Sequence, residues 1–388
     1  MEERFCPRTW IDIDLDALIA NYQTAKGMTQ ALVTCVVKSN AYGHGAVRVA
    51  QALQEAGCES FAVSCAREGI ELRRSGIRGE ILVMGLTEQV MLPACIQAEL
   101  TLTLGTLAGI REAEAAASTA RQTLRGQLAV DTGFHRLGFD VTGEAADALA
   151  REARGLTWLR LTGMFSHLGL ITAQRDQAQY DALMRMQSML EQRELQLKDI
   201  HLCDSIGLVR YPAWHMSRVR VGALLYGVRP FHTEHMPFED RESLAFRTTV
   251  SQVRDVAAGE VVGYSDDQVL EHPARIATLC AGYGDGYPRC LSNGKGKVLI
   301  RGKLAPVVGL ICMDQMMVDV SGIPEAAPGD VATLLGDGIS YATYADWCNT
   351  NRNECISILS RRPVRVYRQG GKIVTVLDSL LEERSDFT

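Results

Sequence analysis

The stretch TCVVKSNAYGHG, residues 34–45, opens the pattern from which the fold is read. An apolar, strand-forming run closes on Lys38, and Asn40, Tyr42, His44 and two glycines follow before the chain turns helical at AVRVAQALQEAG (46–57). Lysine is strongly hydrated and sits poorly at the end of a run that should be buried, so its place here needs a chemical reason. The same alternation continues as SFAVSC (60–65), EILVMG (80–85), LTLTLG (100–105), RGQLAVDT (125–132), LTGMFSHL (161–168), DIHLCDS (199–205) and MSRVRVG (216–222). With the first run these make eight, most of them separated by Ala-, Leu-, Glu-, Gln- and Arg-rich segments that favour helix. The pattern predicts α/β architecture: a parallel (β/α)8 barrel of TIM type, with a doubly wound open sheet as the alternative. The count of eight favours the barrel.

Beyond about residue 240 the pattern changes. FRTTVSQVRDV, RIATLCAG, GKVLIRGKLAPVVGLI, QMMVDVSG, DVATLLG and VRVYRQGGKIVTVLD are β-rich runs set between Gly, Pro and Asp turns. One short helix is expected near SYATYADWCNT. The expected organisation is a barrel over residues 1–240, its first ~12 residues packing on the second domain, and a mostly β domain over 241–388.

Composition excludes several classes. Apolar residues make up 47% of the chain and charged residues 22%, as in an ordinary globular protein. A formal net charge of −6 argues against a nucleic-acid or anionic-membrane partner. No apolar run approaches the ~18 residues of a membrane span, and MEERFCPRTW has no signal-peptide core. The eleven cysteines show no CxxC pair and no zinc spacing. They read as reduced, mostly buried thiols in a cytoplasmic protein, with no metal expected.

Chemistry in such a barrel gathers at the C-terminal strand ends, with a phosphate often beside strands seven and eight. Lys38 ends strand one, and Tyr42 lies in the loop after it. Arg136 lies in the loop after strand five, His167 near the end of strand six, Asp204 and Ser205 after strand seven, and Arg220 within strand eight before Gly222. Singly each has a structural explanation: a solvated lysine, a satisfied barrel histidine, a loop ion pair, a turn serine. Together on one face, an amine able to condense with a carbonyl, a phosphate nest and inward arginines suggest a pyridoxal phosphate site.

These residues carry a resemblance. VVKSNAYGHG resembles the cofactor-lysine signature of the alanine racemases, fold-type III pyridoxal phosphate enzymes. RTWIDIDLDAL, VDTGFHRLGF, VRVGALLYGVRP, GEVVGYSDDQ, AGYGDGYPR and ICMDQMMVDV resemble further family segments in order along essentially the whole chain. The resemblance implies that Lys38 anchors pyridoxal 5′-phosphate covalently and is one acid–base residue. Tyr264 would be the opposite base, supplied across a homodimer by the other subunit. Tyr42, Ser205 and the backbone of Gly222 and Ala223 would hold the phosphate. Arg220 would face the pyridine nitrogen, supported by His167. Arg136 would contact the phenolic oxygen and the substrate carboxylate alongside Met313 and Asp314, and Tyr283 would line the mouth of the site.

The residue types suit racemisation, which takes the α-proton from one face and returns one on the other. Lysine and tyrosine titrate near 10 in water, roughly three units too high for a base at pH 7 unless cations or burial intervene. An arginine at the pyridine nitrogen does not readily give up its proton, which weakens the cofactor as an electron sink and disfavours transamination.

Four positions depart from the family pattern. Ala129 stands where many members carry a lysine that orients the loop arginine, Asp204 where Asn is common, and Leu310 where an arginine is usual. Asn353, in NRNECISIL, replaces a tyrosine that walls the substrate pocket. A turn or helix-cap role is its plain alternative. The exchange opens space and adds an amide that can pair with a substrate hydroxyl. This resembles the soluble domain of the membrane-bound serine racemases of vancomycin resistance. It implies a racemase of serine and alanine that supplies D-amino acids for peptidoglycan precursors. In a longer native chain an N-terminal membrane domain would tether it to the cytoplasmic face of the membrane. A biosynthetic alanine racemase is the alternative. A barrel-type decarboxylase is more distant, since it would pair the pyridine nitrogen with a carboxylate, and a non-catalytic cofactor carrier would not need the β domain.

Overall fold

The computed structural model describes residues 7–229, 241–264, 269–381 and 383–386. The chain begins with β1 (Thr9–Asp14) and α1 (Leu15–Gly27) and then enters the barrel. All eight expected barrel runs form strands: β2 (Leu32–Val36), β3 (Ser60–Val63), β4 (Glu80–Leu86), β5 (Thr101–Leu104), β6 (Leu124–Asp131), β7 (Leu159–Phe165), β8 (Asp199–His201) and β9 (Arg218–Val221). They pair in parallel in chain order, and β9 returns to β2 with Val221 opposite Cys35. The seam between β8 and β9 is held by Arg220 N–H donating to Cys203 O (3.0 Å) and Ser217 N–H to Ile200 O (3.2 Å). The sheet is therefore a near-closed barrel. Every residue of β3, β5 and β9 is buried, as expected of strands covered on both faces.

Helices α2 (Ala46–Glu55), α3 (Ala66–Arg74), α4 (Leu92–Gln97), α5 (Leu107–Ala120), α6 (Gly143–Ala153), α7 (Ala173–Glu191) and α8 (Ser205–Arg210) connect these strands. Side-chain oxygens of Thr106, Thr142, Thr172 and Asp204 cap four of them by accepting from the first-turn N–H groups. No helix among the described residues is long and apolar enough to cross a membrane.

The second sheet runs through β10 (Leu244–Val256), β11 (Ala274–Leu279), β12 (Lys297–Ile300), β13 (Lys303–Val308), β14 (Met316–Asp319), β15 (Val331–Leu335), β16 (Val364–Gln369), β17 (Lys372–Asp378) and β18 (Glu383–Asp386). Its spatial order is β11-β14-β13-β12-β15-β10-β1-β16-β17-β18. The first strand of the chain thus lies inside this sheet, antiparallel to β10 and parallel to β16, with Ile11 and Ile13 fully buried. The expected division at residues 240 and 241 falls at the edge of residues 230–240, which lie outside the described residues.

The helix expected near SYATYADWCNT forms as α9 (Tyr341–Cys348), and a second helix that was not expected, α10 (Arg352–Ser357), follows it. Asn349 ends the first in the left-handed region at φ 53°, and the Asn351 side chain starts the second by accepting from Glu354 N–H at 2.9 Å.

Candidate active site

The turn after β2 has unusual backbone geometry. Ser39, Asn40, Ala41 and Tyr42 all adopt left-handed conformations, with φ between 50° and 54°. Each non-glycine residue there costs roughly 1–2 kcal/mol, so long-range contacts must hold the turn. Ser39 N–H donates to Glu68 Oε1 (2.6 Å), and Asn40 Oδ1 accepts from Ala46 N–H (2.9 Å) at the start of α2. From the second sheet, Arg365 Nε donates to Gly43 O (3.0 Å). Gly43 lies so close to α10 that a Cβ there would stand 2.1 Å from Ile356 O. His44 is fully buried; its Nδ1 lies 3.1 Å from Tyr42 O and its Nε2 2.9 Å from Ser243 Oγ.

This turn delivers Lys38 and Tyr42 to a cavity of about 670 Å3 at the C-terminal ends of the strands, lined also by Arg136, His167, Ser205, Arg220, Gly222, Ala223 and Asn353. Burial pushes the Lys38 amine below its ordinary value; Arg136 adds to that and Glu68 opposes it. Across the cavity, Ser205 Oγ accepts from the N–H groups of Gly222 (3.0 Å) and Leu224 (3.4 Å). A Cβ on Gly222 would lie 2.7 Å from the Tyr42 hydroxyl, so only glycine leaves this cradle open. Burial, then Asp204, pushes Tyr42 up to about 12, which keeps its phenol a neutral donor.

Arg220 is buried, and its Nη2 donates to Ser166 O (2.7 Å) and Leu202 O (2.9 Å). Its Nη1 donates to His201 Nδ1. A guanidinium has no acceptor, so His201 Nδ1 carries no proton and Nε2 donates to Gln127 Oε1, 2.7 Å away. Gln127 Nε2 donates in turn to Asp199 Oδ2 (2.6 Å), and Asp199 pairs with Arg218, which also reaches Glu80 at 2.7 Å. Burial first, then Arg220 and Arg218, hold His201 well below its ordinary value. Burial lowers Arg220 to about 10, leaving it charged at neutral pH. His201 makes the contact with Arg220 that the resemblance implies for His167. Among the described residues no hydrogen bond links His167 to Arg220; His167 lies against Phe134 (5.1 Å between ring centroids), and burial lowers it to about 4.

Arg136 stands with its Cζ 4.5 Å from the Phe134 ring centroid. The loop carrying both is tied by Asp131 Oδ1, which accepts from the N–H groups of Gly133, Phe134 and His135 at 2.9–3.1 Å. Phe134 therefore supports the arginine where Ala129, fully packed, offers no side chain to do so. Asn353 lies in the first turn of α10; the cap is Asn351, two residues earlier.

Four expected residues stay off the cavity wall. Tyr264 is 81% exposed, and Tyr283, Met313 and Asp314 are exposed with it on the second sheet's side of the molecule. The last three form one surface cluster: Tyr283 N–H donates to Cys312 O (3.1 Å), Gly284 N–H to Met313 O (2.8 Å), and Arg362 joins Asp285 to Asp314. Sequence reading missed His201, Gln127 and Phe134. A histidine and a glutamine in otherwise apolar, buried strands were the available signal for the first two.

The family model "Alanine racemase, N-terminal domain" matches residues 13–230, and "Alanine racemase, C-terminal domain" matches residues 243–367. The alanine racemase of Clostridium tetani is 31% identical over 376 residues, covering 95% of this chain and 97% of the relative. That of Syntrophobacter fumaroxidans is 34% identical over 375 residues, covering 93% and 98%. Among solved structures, the alanine racemase of Clostridium difficile superposes with a TM-score of 0.92 at 28% identity, covering 96% of this chain and 99% of that one.

Proposed function

The chain belongs to the alanine racemase family, and from that premise we propose that it racemises alanine and serine as a homodimer. The family is pyridoxal-phosphate-dependent, and the bound cofactor supplies an electron sink for the charge that develops at Cα. The residues present fit that group. Lys38 offers an amine to the cavity, and the Ser205–Gly222–Tyr42 cradle offers donors and open space for a phosphate. Arg220 lines the same cavity as a buried cation in contact with His201.

On this reading Lys38 moves the proton on one face of Cα. Its lowered pKa brings the free amine nearer to neutral pH, where a base is useful. Arg136, backed by Phe134, receives the substrate carboxylate. Tyr264 serves the opposite face from a second copy of the chain, and its exposure with Tyr283, Met313 and Asp314 supports a role outside its own cavity.

The observation that carries the serine assignment is Asn353 on the cavity wall. Its amide suits a substrate hydroxyl, and a tyrosine there would take up the space. The products would then be D-alanine and D-serine, building blocks of the kind a peptidoglycan precursor takes in vancomycin resistance. A chiral assay with L-Ala and L-Ser tests this on the native protein and on Asn353→Tyr. The expected result is a fall in the Ser/Ala ratio of kcat/KM by about tenfold or more in the variant. An equal ratio in the two proteins rejects serine specificity and leaves an alanine racemase.

A further inference from the structure

A chain of hydrogen bonds runs through the barrel from its base to the cavity. Glu80, Asp199 and Arg218 are each the first residue of a strand, β4, β8 and β9, and so share the N-terminal end of the parallel barrel. Arg218 is buried there. It donates from Nε to Asp199 Oδ1 (2.9 Å), from Nη2 to Asp199 Oδ2, and from Nη1 to Glu80 Oε2 (2.7 Å). From Asp199 the chain passes through Gln127 and His201, both fully buried, to Arg220 on the cavity wall. Groups at the base of a barrel ordinarily serve stability. These are also joined to the site, by three consecutive bonds between side chains.

The two ends of this chain leave one arrangement of protons. A guanidinium only donates and a carboxylate only accepts. His201 therefore presents a bare Nδ1 to Arg220, and Gln127 turns its oxygen to His201 and its nitrogen to Asp199. A reversed Gln127 amide would set its nitrogen against the His201 N–H and its oxygen against the Asp199 carboxylate, a mismatch at both contacts. The Phe165 ring stacks on His201 at 5.0 Å and 7°, which fixes the plane of the imidazole. Stacking alone would accept the ring after a half-turn, with Nδ1 carried away from Arg220 and Nε2 away from Gln127. The bond to Gln127 selects between the two. At the cavity end, Arg220 commits three of its five N–H groups to Ser166 O, Leu202 O and His201. Two are left for a ligand.

We propose that Gln127 and Asp199 are positioning residues for Arg220. From the lower barrel they hold His201 in the one ring orientation and tautomer that accepts from Arg220, and so fix the direction in which the guanidinium meets a ligand. Neither lines the cavity, and both act through His201. The effect on turnover rests on the racemase reading, in which Arg220 faces the bound cofactor; the proton pattern does not. Since that reading gives the substrate carboxylate to Arg136, loss of the constraint falls on kcat more than on KM.

Gln127→Met keeps the volume and removes both polar ends, whereas Gln127→His keeps one acceptor and one donor. Both are compared with the native holoenzyme at saturating pyridoxal phosphate, reading kcat and KM for L-alanine and the visible absorbance of the bound cofactor. The expected result for Gln127→Met is a kcat lower by about tenfold, a KM changed by less than about threefold, and a shifted absorbance band. Gln127→His recovers most of kcat and the native band. Asp199→Asn alone lowers kcat by about threefold and adds nothing to Gln127→Met, as two residues acting through one bond require. Nitrogen NMR of holoenzyme carrying isotope-labelled histidine, with His201 assigned by difference from His201→Gln, finds the native ring protonated on Nε2 alone. A native kcat and band in Gln127→Met, equal losses in the two Gln127 variants, additive losses in the double variant, or a proton on Nδ1 of the native His201 overturns the proposal. Should Gln127→Met or Asp199→Asn not fold, the native proton pattern and the activity of Gln127→His still decide, an inactive Gln127→His counting against it. Failure of the racemase reading shows instead as no turnover in the native enzyme while His201 still carries its proton on Nε2 alone.

Discussion

Acid should release the Lys38 turn through His44. This residue is fully buried, and burial first, with Arg365 adding, lowers its pKa from 6.5 to about 4 against the pull of hydrogen bonds to Tyr42 and Ala41. The carbonyl of Tyr42 only accepts, so Nδ1 carries the proton in the neutral ring, and Nε2 faces the Ser243 hydroxyl at 2.9 Å, which also reaches the Tyr226 carbonyl at 3.2 Å. The folded value lies below the unfolded one, so the fold favours the neutral ring. Above pH 6.5 neither state is protonated and nothing is lost. Between pH 6.5 and about 4 the unfolded chain takes up a proton that the folded one refuses, so stability falls by about 1.4 kcal/mol per pH unit. Below about pH 4 both states carry the proton and the loss stops, at about 3 kcal/mol. His167 and His201 shift in the same direction and add to the total, so a variant is needed to isolate His44. His44→Gln keeps a donor for Tyr42 O and an acceptor for Ser243 but does not titrate. Urea unfolding at pH 7 and pH 5, followed by tryptophan fluorescence, should show the native protein losing about 2 kcal/mol more than His44→Gln over that interval. Equal losses in the two proteins would refute the assignment.

Gly43→Ala should destabilise by about 2 kcal/mol or more, since φ is +87° and Ile356 O stands 2.1 Å from the new Cβ. Gly57→Ala, at φ +91° with nothing within 4 Å, controls for backbone strain alone, and the gap between the two in thermal unfolding measures the clash. His201→Leu leaves Arg220 Nη1 and Gln127 Oε1 buried without a partner and should cost roughly 2–5 kcal/mol. Adding Gln127→Leu should recover part of that loss, which a double-mutant cycle in urea reads directly. Asp204→Asn removes the carboxylate next to Ser205 while keeping a good cap for α8. Fluorescence titration of the apoenzyme should show pyridoxal phosphate binding about fivefold more tightly, as expected for about 1 kcal/mol of charge repulsion removed.

The barrel was legible because each buried strand is short, apolar and bracketed by helix-forming sequence, so eight strands were found from eight runs. Lys38 and Arg220 could be placed at the cavity because charged residues in or at the ends of such buried strands are out of place without a partner there, and Arg136 because it lies in the loop after one of them. The second helix was not legible. In CNTNRNEC the Asn and Thr residues read as a turn, and only the Asn351 side chain reaching Glu354 N–H makes a new helix of it. His201 was passed over for a different reason. Its place in DIHLCDS says that it is buried, but its importance lies in Arg220 and Gln127, which come from two other strands.

The left-handed turn shows why local sequence could not yield the site. Nothing in Ser39–Tyr42 favours positive φ except Asn40, and four such residues together cost roughly 4–8 kcal/mol, a large share of the stability of a typical domain. The offsetting contacts come from far along the chain. Glu68 belongs to α3, Ser243 to the start of the second sheet, Ile356 to α10 and Arg365 to β16. Each hydrogen bond contributes on the order of 1 kcal/mol net, so no single one holds the turn and several must act together. The barrel therefore supplies the strand end from which Lys38 projects, while the second sheet and its helices supply much of the support that fixes its direction. On the proposed reading, in which Lys38 anchors a cofactor and carries a proton, its aim is in this way tied to both layers of the molecule. The second sheet thus braces the mouth of a barrel that is itself only near-closed.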